Sequence, residues 1–299
     1  MGGRARSPVS GVAGVTFPNA MLIEPSARKS SRLRLAIVYA ALIVLSAISF
    51  APFVWLVMTS LKPEAETFSR VIPSRLVLEN YSRGLVHFPF ALYLRNTLVL
   101  CTANVVGSIL SCSLVAYGLA RIPWPGRSAL FALILSTMML PAQVTMVPLF
   151  AVFKWLGWID TFLPLTVPAF LGNAFFVFLL RQFFLTLPGE LSDAARLDGC
   201  SEFDIYRRVV LPLATPALAT VALFAFLNTW NDFMGPLVYL YDDTKFPLSL
   251  GLAMFTSQYG SFWGQLMAVS TVMTVPILVL FFFTQRTFIQ GITMSGIKG

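Results

Sequence analysis

Asp193 to Pro212 reads DAARLDGCSEFDIYRRVVLP, and seven of these twenty residues are charged. The chain around them is not. Charged residues make up 11% of the 299 and hydrophobic residues 57%, whereas a soluble domain carries about 25% charged residues to cover its surface. The charges are also clustered, which leaves long uncharged runs. This composition excludes an ordinary soluble domain and indicates an all-α, polytopic membrane protein. The charged stretch is then a polar break between spans.

Six runs are long enough to cross a bilayer, which takes about 20 residues: Leu35–Met58, Thr97–Ala120, Ser128–Phe153, Leu163–Phe184, Ala214–Tyr239 and Gln265–Thr284. Pro141 and Pro148 inside the third predict kinks, because each removes a backbone donor. The first run is longer than the apolar core of a signal peptide and starts farther from the N-terminus, so it reads as a retained helix. Residues 1–34, rich in Gly, Ser, Arg and Pro, read as a disordered basic leader to a transmembrane domain over 35–299.

Orientation follows from the basic residues. With the N-terminus inside, 14 of the 21 Lys and Arg fall in the inner segments. That bias places both termini and the 186–213 loop in the cytoplasm, with a cytoplasmic tail at 287–299. The same bias accounts for the formal charge of +8 without nucleic acid. Two sizeable outer segments, residues 59–96 and 240–264, mix aromatics with charge. They read as outer loops with interfacial aromatics or as surfaces for a partner or ligand.

Locally, the charged stretch reads as two short helices. Pro188 suits a first helical position, and Glu190 meets the positive end of the helix dipole. Leu191, Ala194 and Ala195 then fall on one face. Gly199 is a natural helix stop. Ser201, followed three residues on by Asp204, resembles a capping box. A second helix would carry Phe203, Tyr206 and Val210 on one face, and Leu211-Pro212 would end it. The result is a helix–Gly–helix elbow whose small-residue face either packs on neighbouring spans or docks a partner.

The spacing resembles the EAA motif of ABC-importer permease subunits: Glu-Ala-Ala, three residues, Gly, nine residues, Ile-x-Leu-Pro. Here Asp193-Ala194-Ala195 precede Gly199, and Val209 is followed by Leu211-Pro212, with Asp for Glu at 193 and Val for Ile at 209. The stretches TSLKP, NY, MMLPAQVTMVPLF, FLLRQFF, WNDFMGPL and GITMSGIKG are similar to the MalG-like branch of carbohydrate-importer permeases, so the resemblance covers most of 35–299. It implies a MetI-like core of six helices, a second homologous permease, two ATPase subunits that bind ATP and Mg, and an external solute-binding protein. It also implies a plasma (inner) membrane location and a sugar-like solute. The stretch becomes a coupling helix seated on an ATPase subunit, with Asp193, Ala194, Ala195, Arg196, Gly199, Leu211 and Pro212 as its contact residues. Asp193 and Arg196 would make charged contacts at its rim. Gly291–Gly299 is a second candidate contact.

Polar residues within spans are the candidates for a solute path: Asn228, Trp230, Asn231 and Asp232 in the fifth, Asn173 in the fourth, and Gln143 with Thr145 in the third. The alternative is that Asp232 is wet and structural and Trp230 an interfacial anchor. Arg181 is placed at the inner end of the fourth span, snorkelling to headgroups. The chain has no GxxxxGK[ST] phosphate loop, one histidine, His87, and no metal-ligand spacing. It therefore reads as having no ATPase site or cofactor of its own, and the resemblance implies a transport subunit whose ATP is hydrolysed by a partner. An ion-coupled secondary transporter would favour paired acids within spans and inverted repeats; a single marginal Asp232 speaks for it. An intramembrane enzyme and a scaffold without a solute have less support still.

Overall fold

The computed structural model describes Gly2, residues 26–257 and residues 260–295. The chain divides into two units, residues 1–53 and 54–299. Helix α1 (Ser26–Ser60) crosses that boundary. It begins inside the segment expected to be disordered, because nothing after Pro25 breaks a helix: Ala, Arg, Lys and Leu propagate the apolar run backwards. The rest of the leader lies outside the described residues. Then follow α2 (Glu79–Val86), α3 (Phe90–Ala120), α4 (Arg127–Thr137), α5 (Ala142–Trp155), α6 (Leu163–Thr166), α7 (Ala174–Thr186), α8 (Gly189–Leu197), α9 (Glu202–Ile205), α10 (Leu211–Leu213), α11 (Thr215–Trp230), α12 (Met234–Tyr239), α13 (Leu248–Ala253) and α14 (Trp263–Ser295). A two-residue antiparallel pair, β1 (Thr256–Ser257) with β2 (Gly260–Ser261), precedes α14.

Four segments are long and apolar enough to span: Arg34–Ser60, Phe90–Ala120, Leu163–Thr186 and Trp263–Gln285. Two bent pairs bring the number to as many as six if each pair is counted as one span. These are α4 with α5, turned by 97°, and Glu202–Leu213 with α11, turned by 79°. The second span starts seven residues earlier than expected. Tyr93, Asn96 and Thr97 recur at helical spacing and are buried, so the helix extends over them despite Arg95.

The third span is a correction. A kinked helix was expected over Ser128–Phe153, and the chain instead breaks at Met138–Pro141. Leu140 precedes a proline and is driven out of the helical region. Met138, Met139 and Leu140 close the end of α4 with tight i to i−3 bonds, and Pro141 is extended at φ −61°, ψ 136°. Pro148 is carried inside α5 without a break.

The fourth span is also irregular. Pro164 and Pro168 limit α6 to four residues, a 3-10 stretch runs from Val167 to Leu171, and Gly172 takes φ 96°. In hydrocarbon such a stretch survives only if protein satisfies its freed backbone groups, and α3 does so. Asn104 Nδ2 donates to Leu165 O at 2.8 Å, Ser111 Oγ donates to Ala169 O at 2.8 Å, and Cys112 Sγ accepts the Asn173 N–H at 3.2 Å. Gly107 completes the fit, since a Cβ there would lie 2.7 Å from the Phe170 ring.

The fifth span, expected over Ala214–Tyr239, ends at Trp230. The break at 231–233 starts α12, where Asp232 Oδ1 accepts the Gly235 N–H at 3.0 Å. Within residues 54–299, α3 is the central helix, packed on α7, α11 and the 3-10 stretch, while α14 packs on α11 and α2. Two buried clusters follow from this. One joins Ala116, Tyr117, Leu180, Phe184, Tyr206 and Val221; the other joins Phe88, Tyr93, Trp230, Leu248, Phe255 and Val269.

Between helices in lipid there is no hydrophobic drive, so packing and hydrogen bonds decide. Asn104→Leu therefore strands the Leu165 carbonyl, and we expect a loss of about 1–2 kcal/mol. This would appear as a lowered unfolding midpoint of the detergent-solubilised protein; an unchanged midpoint would show that water or lipid replaces the amide.

Candidate coupling elbow and transport path

Helix α8 starts one residue later than expected. Pro188 is extended at ψ 136° and stands before the first turn. At the other end, Gly199 N–H donates to Arg196 O and Cys200 N–H donates to Ala195 O, both at 3.0 Å. This paired pattern is the Schellman closure, and it needs a left-handed residue. Gly199 supplies it at φ 81°. Ser201 then caps α9: its Oγ accepts the Asp204 N–H at 3.2 Å and donates to Asp204 Oδ2 at 2.5 Å. The predicted stop and restart of the helix are both present.

The end of the elbow differs from expectation. Leu211-Pro212 does not terminate the second helix; α9, a π turn over Tyr206–Val210 and α10 run on to Leu213, and the chain bends at Ala214. Pro212 is tolerated there because it follows directly on the π turn, whose i to i−5 register replaces the i to i−4 bond that a proline cannot make. The Leu211 N–H reaches back five residues to Tyr206 O.

The expected apolar faces also split. On α8, Ser192 and Ala195 turn inward, while Leu191, Ala194 and Gly199 are exposed and Leu197 is 90% exposed. On the second helix Ile205, Tyr206 and Val210 are buried and Phe203 is 62% exposed. Asp193 and Arg196, expected as rim contacts, are paired with each other: Arg196 Nη1 meets Asp193 Oδ1 at 2.7 Å, and its Nε donates to Glu202 Oε1 at 2.8 Å. The other Glu202 oxygen accepts the Tyr117 hydroxyl at 2.7 Å. Arg181 does not reach freely outward either. Its guanidinium lies 4.0 Å from the Phe131 ring centre, and its Nε donates to Leu119 O.

The candidate path residues have mixed placements. Asn228 on α11, Asn231 just after it and Gln143 on α5 are exposed. Trp230 is 2% exposed and stacks on Phe226 at 5.2 Å, so its ring is a core element and is closed to a solute. Asn173 caps α7, its Oδ1 accepting from Phe175 and Phe176 N–H groups. Asp232 caps α12, and its carbonyl accepts the Ser249 hydroxyl at 2.7 Å. Thr145 bonds back to Ala142 O. No hydrogen bond among the described residues joins Asn173 or Gln143 to the 228–232 group. At two of the polar positions, Asn173 and Asp232, the side chain completes broken backbone, which a sequence cannot distinguish from solute binding.

At the end of the fold opposite the elbow, several side chains hold loops together. TSLKP and NY meet: Asn80 Nδ2 donates to Ser60 O and Lys62 O, both at 2.9 Å, and the Tyr81 and Ser60 hydroxyls lie 2.8 Å apart. Lys62 is fully buried, 4.2 Å above the Trp55 ring. Glu64 accepts the Trp263 and Gly264 N–H groups, at 2.7 and 3.1 Å, and so caps α14 from 200 residues away. Asp160, overlooked in the sequence, takes φ 59° and is the only non-glycine with positive φ among the described residues. Its carboxylate accepts the Tyr241 and Asp242 N–H groups at 3.0 Å and Lys245 Nζ at 2.9 Å. Among the described residues no group of three His, Cys, Asp or Glu is placed to hold a metal.

An elbow of this kind between apolar helices defines a class. Residues 105–294 match the family of binding-protein-dependent transport system inner membrane components. The chain belongs to that family, and so is a transport subunit of the inner membrane and not an enzyme. It is 38% identical to the arabinooligosaccharides transport system permease protein AraQ of Halalkalibacterium halodurans, over 84% of this chain and 92% of that one. It is 31% identical to the trehalose/maltose transport system permease protein MalG of Thermococcus litoralis, over 86% and 94%. The fold also matches a chain of a bacterial ABC transporter involved in import of the acidic polysaccharide alginate, with a TM-score of 0.75 at 25% identity, covering 86% of this chain and 97% of that one. The family implies partner permeases, ATPases and a solute-binding protein.

The Asp160 clamp generates a pH prediction. The Asp242 and Tyr241 amides and Lys245 hold the Asp160 carboxyl at about 2, below its ordinary 3.8. A depressed carboxylate contributes stability above its unfolded value and loses it as pH falls through the folded one. The clamp should therefore hold from neutral pH to about 4 and release between there and about 2. Hydrogen exchange of the Tyr241 and Asp242 amides, corrected for intrinsic rate, reads this out. Asp160→Asn should open both at pH 7; full protection in that variant would show that Asp160 is dispensable.

Proposed function

We propose that this chain is the permease subunit of an ATP-driven, binding-protein-dependent importer of a sugar or sugar-like solute. It forms half of the translocation path beside a second, homologous permease. The elbow faces the cytoplasm, as the Lys/Arg bias favours, and both termini lie on that side. Two ATPase subunits bind ATP and Mg and hydrolyse the nucleotide; this chain does not. The sugar class is supported by the solutes for which its relatives are named and by the amides of Asn228, Asn231 and Gln143, which suit hydroxyl groups. Trp230, Asn173 and Asp232 shape the path from behind.

The observation that carries the coupling role is the closed, capped elbow with large apolar side chains turned outward. Leu197 is almost wholly exposed and Phe203 largely so, although its ring packs on Tyr206, and leaving such side chains in water is unfavourable by up to about 1.5–3 kcal/mol each. An ATPase cleft that covers them recovers this. The gap at Gly199 and the small Ala194 allow close approach of the partner backbone. With Arg196 paired internally, the contact energy rests on Leu191, Ala194, Leu197 and Phe203 and less on charge. The C-terminal tail remains a second contact candidate.

Copurification and reconstitution test this. The tagged chain should bring an ATPase with it, and proteoliposomes holding the complex should take up solute only with ATP and the binding protein present. Leu197→Glu, which alters no contact within the chain, should reduce the copurified ATPase by about 10-fold or more, as for a central apolar anchor. Uptake that persists without any ATPase and follows a proton or sodium gradient would establish the secondary-transporter reading in its place.

A further inference from the structure

Elbow motion must reach the spans, and the covalent route runs through α7 and α11. Helix α3 is not joined to the elbow by chain, yet it grips the elbow at three points. Ser113, Tyr117 and Arg121 are spaced four apart, so they form one stripe along α3. The Ser113 hydroxyl meets the Tyr206 hydroxyl at 2.7 Å, and both residues are buried. The Tyr117 hydroxyl donates to Glu202 at 2.7 Å. Arg121 Nη2 donates to Pro188 O at 3.2 Å. The three contacts fall on the second helix, on its first turn and at the entrance to α8. The Tyr117 and Tyr206 rings also pack, with centres 5.3 Å apart.

Glu202 is the hub. One of its oxygens holds Tyr117 and the other holds Arg196, which in turn holds Asp193. A single side chain thus joins α8, α9 and α3. We infer that the Ser113–Tyr117–Arg121 stripe, with Glu202 as its hub, locks α3 to the elbow, so that elbow displacement is delivered to the central span directly. Tyr117 and Glu202 are positioning residues for energy coupling and touch neither ATP nor solute. A rigid link of this kind makes the packed interface switch as a unit. Helix α3 also satisfies the irregular fourth span through Asn104, Ser111 and Cys112, so its movement carries that stretch along.

The inference rests on the elbow being the ATPase-docking element, and the experiment separates the two. The assembled importer is reconstituted in proteoliposomes, and ATP hydrolysed per solute imported is measured. Tyr117→Phe removes one hydroxyl and keeps the ring. It should leave the ATPase bound and still hydrolysing while raising ATP per solute by roughly 2- to 30-fold, the range such networks carry. Glu202→Ala should do the same, and the double variant should be no worse than Glu202→Ala alone, because both break one link. Glu202→Gln, which keeps an acceptor for Tyr117, should restore part of the loss. An unchanged ratio in Tyr117→Phe, or additive losses in the double variant, overturns the lock. If Glu202→Ala is not recovered from membranes, Tyr117→Phe decides by itself. If Leu197→Glu retains both ATPase and uptake, the docking role of the elbow fails, whatever Tyr117 does.

Discussion

Backbone groups in a bilayer have no water to turn to, and each one left unpaired costs several kcal/mol. This constraint governs residues 54–299. The fourth span carries two prolines and a left-handed glycine, so a continuous helix is unavailable to it. The span persists because α3 presents Asn104, Ser111 and Cys112 at the heights where carbonyls and an amide are freed. Gly107 lets the Phe170 ring close over the gap. Helix α3 is therefore central for chemical reasons as well as geometric ones. It is the longest described span within that unit, and its Asn96, Asn104, Ser111 and Ser113 side chains bond to other parts of the protein.

The same economy shapes the elbow. A helix that ends at the membrane surface leaves donors and acceptors exposed at both termini. Gly199 and the Schellman bonds close α8, Ser201 opens α9, and the π turn before Pro212 keeps the second helix intact across a residue with no amide. Each device removes a place where the elbow could fray, so a push on α8 is not dissipated in local unwinding. The ion pairs contribute less than their number suggests. Exposed pairs such as Arg208 with Asp204 are worth about 0–1 kcal/mol. The Tyr117–Glu202 bond differs because it joins separate elements and starts from a buried tyrosine.

Much of this was legible in the sequence, and what was legible was local. Composition gave the class, apolar length gave the first, fourth and sixth spans to within a few residues, and the Gly199 and Ser201 signals gave the stop and restart of the elbow. Pro141 announced a kink and delivered a break, because the preceding residue is constrained as well as the proline. The structural roles that the sequence left open have a common cause. Asn173, Asp232 and Asn104 are all polar residues in apolar surroundings, and sequence cannot tell a side chain that binds solute from one that caps broken helix. Ala194 and Ala195 are neighbours, so a face that includes both is inevitably divided once the helix packs. Glu64 capping α14, Asp160 holding Lys245, and Tyr117 holding Glu202 join residues 85 to 200 positions apart. No periodicity reports such pairs.

Under the proposed function the two ends serve different partners, and long-range pairs of this kind suit them to that division. At one end, Asp160, Asn96 and Glu64 tie loops to loops and helix starts: Asn96 Nδ2 donates to Thr244 O and Phe246 O at 2.9 and 3.0 Å. These bonds fix a surface by anchoring it at several places, loop to loop and to the early turns of α3 and α14. At the other end, the polar stripe of α3 ties the elbow to the central span itself. A solute-binding partner needs a surface of defined shape, and the clamps provide one. An ATPase must move the spans, and that calls for a stiff connection to the helix on which the others pack. The density of polar contacts around Tyr117 and Tyr206, in a region otherwise built from Ala, Val, Leu and Phe, is what such a connection requires. Hydrogen bonds fix orientation where apolar contacts alone would slide.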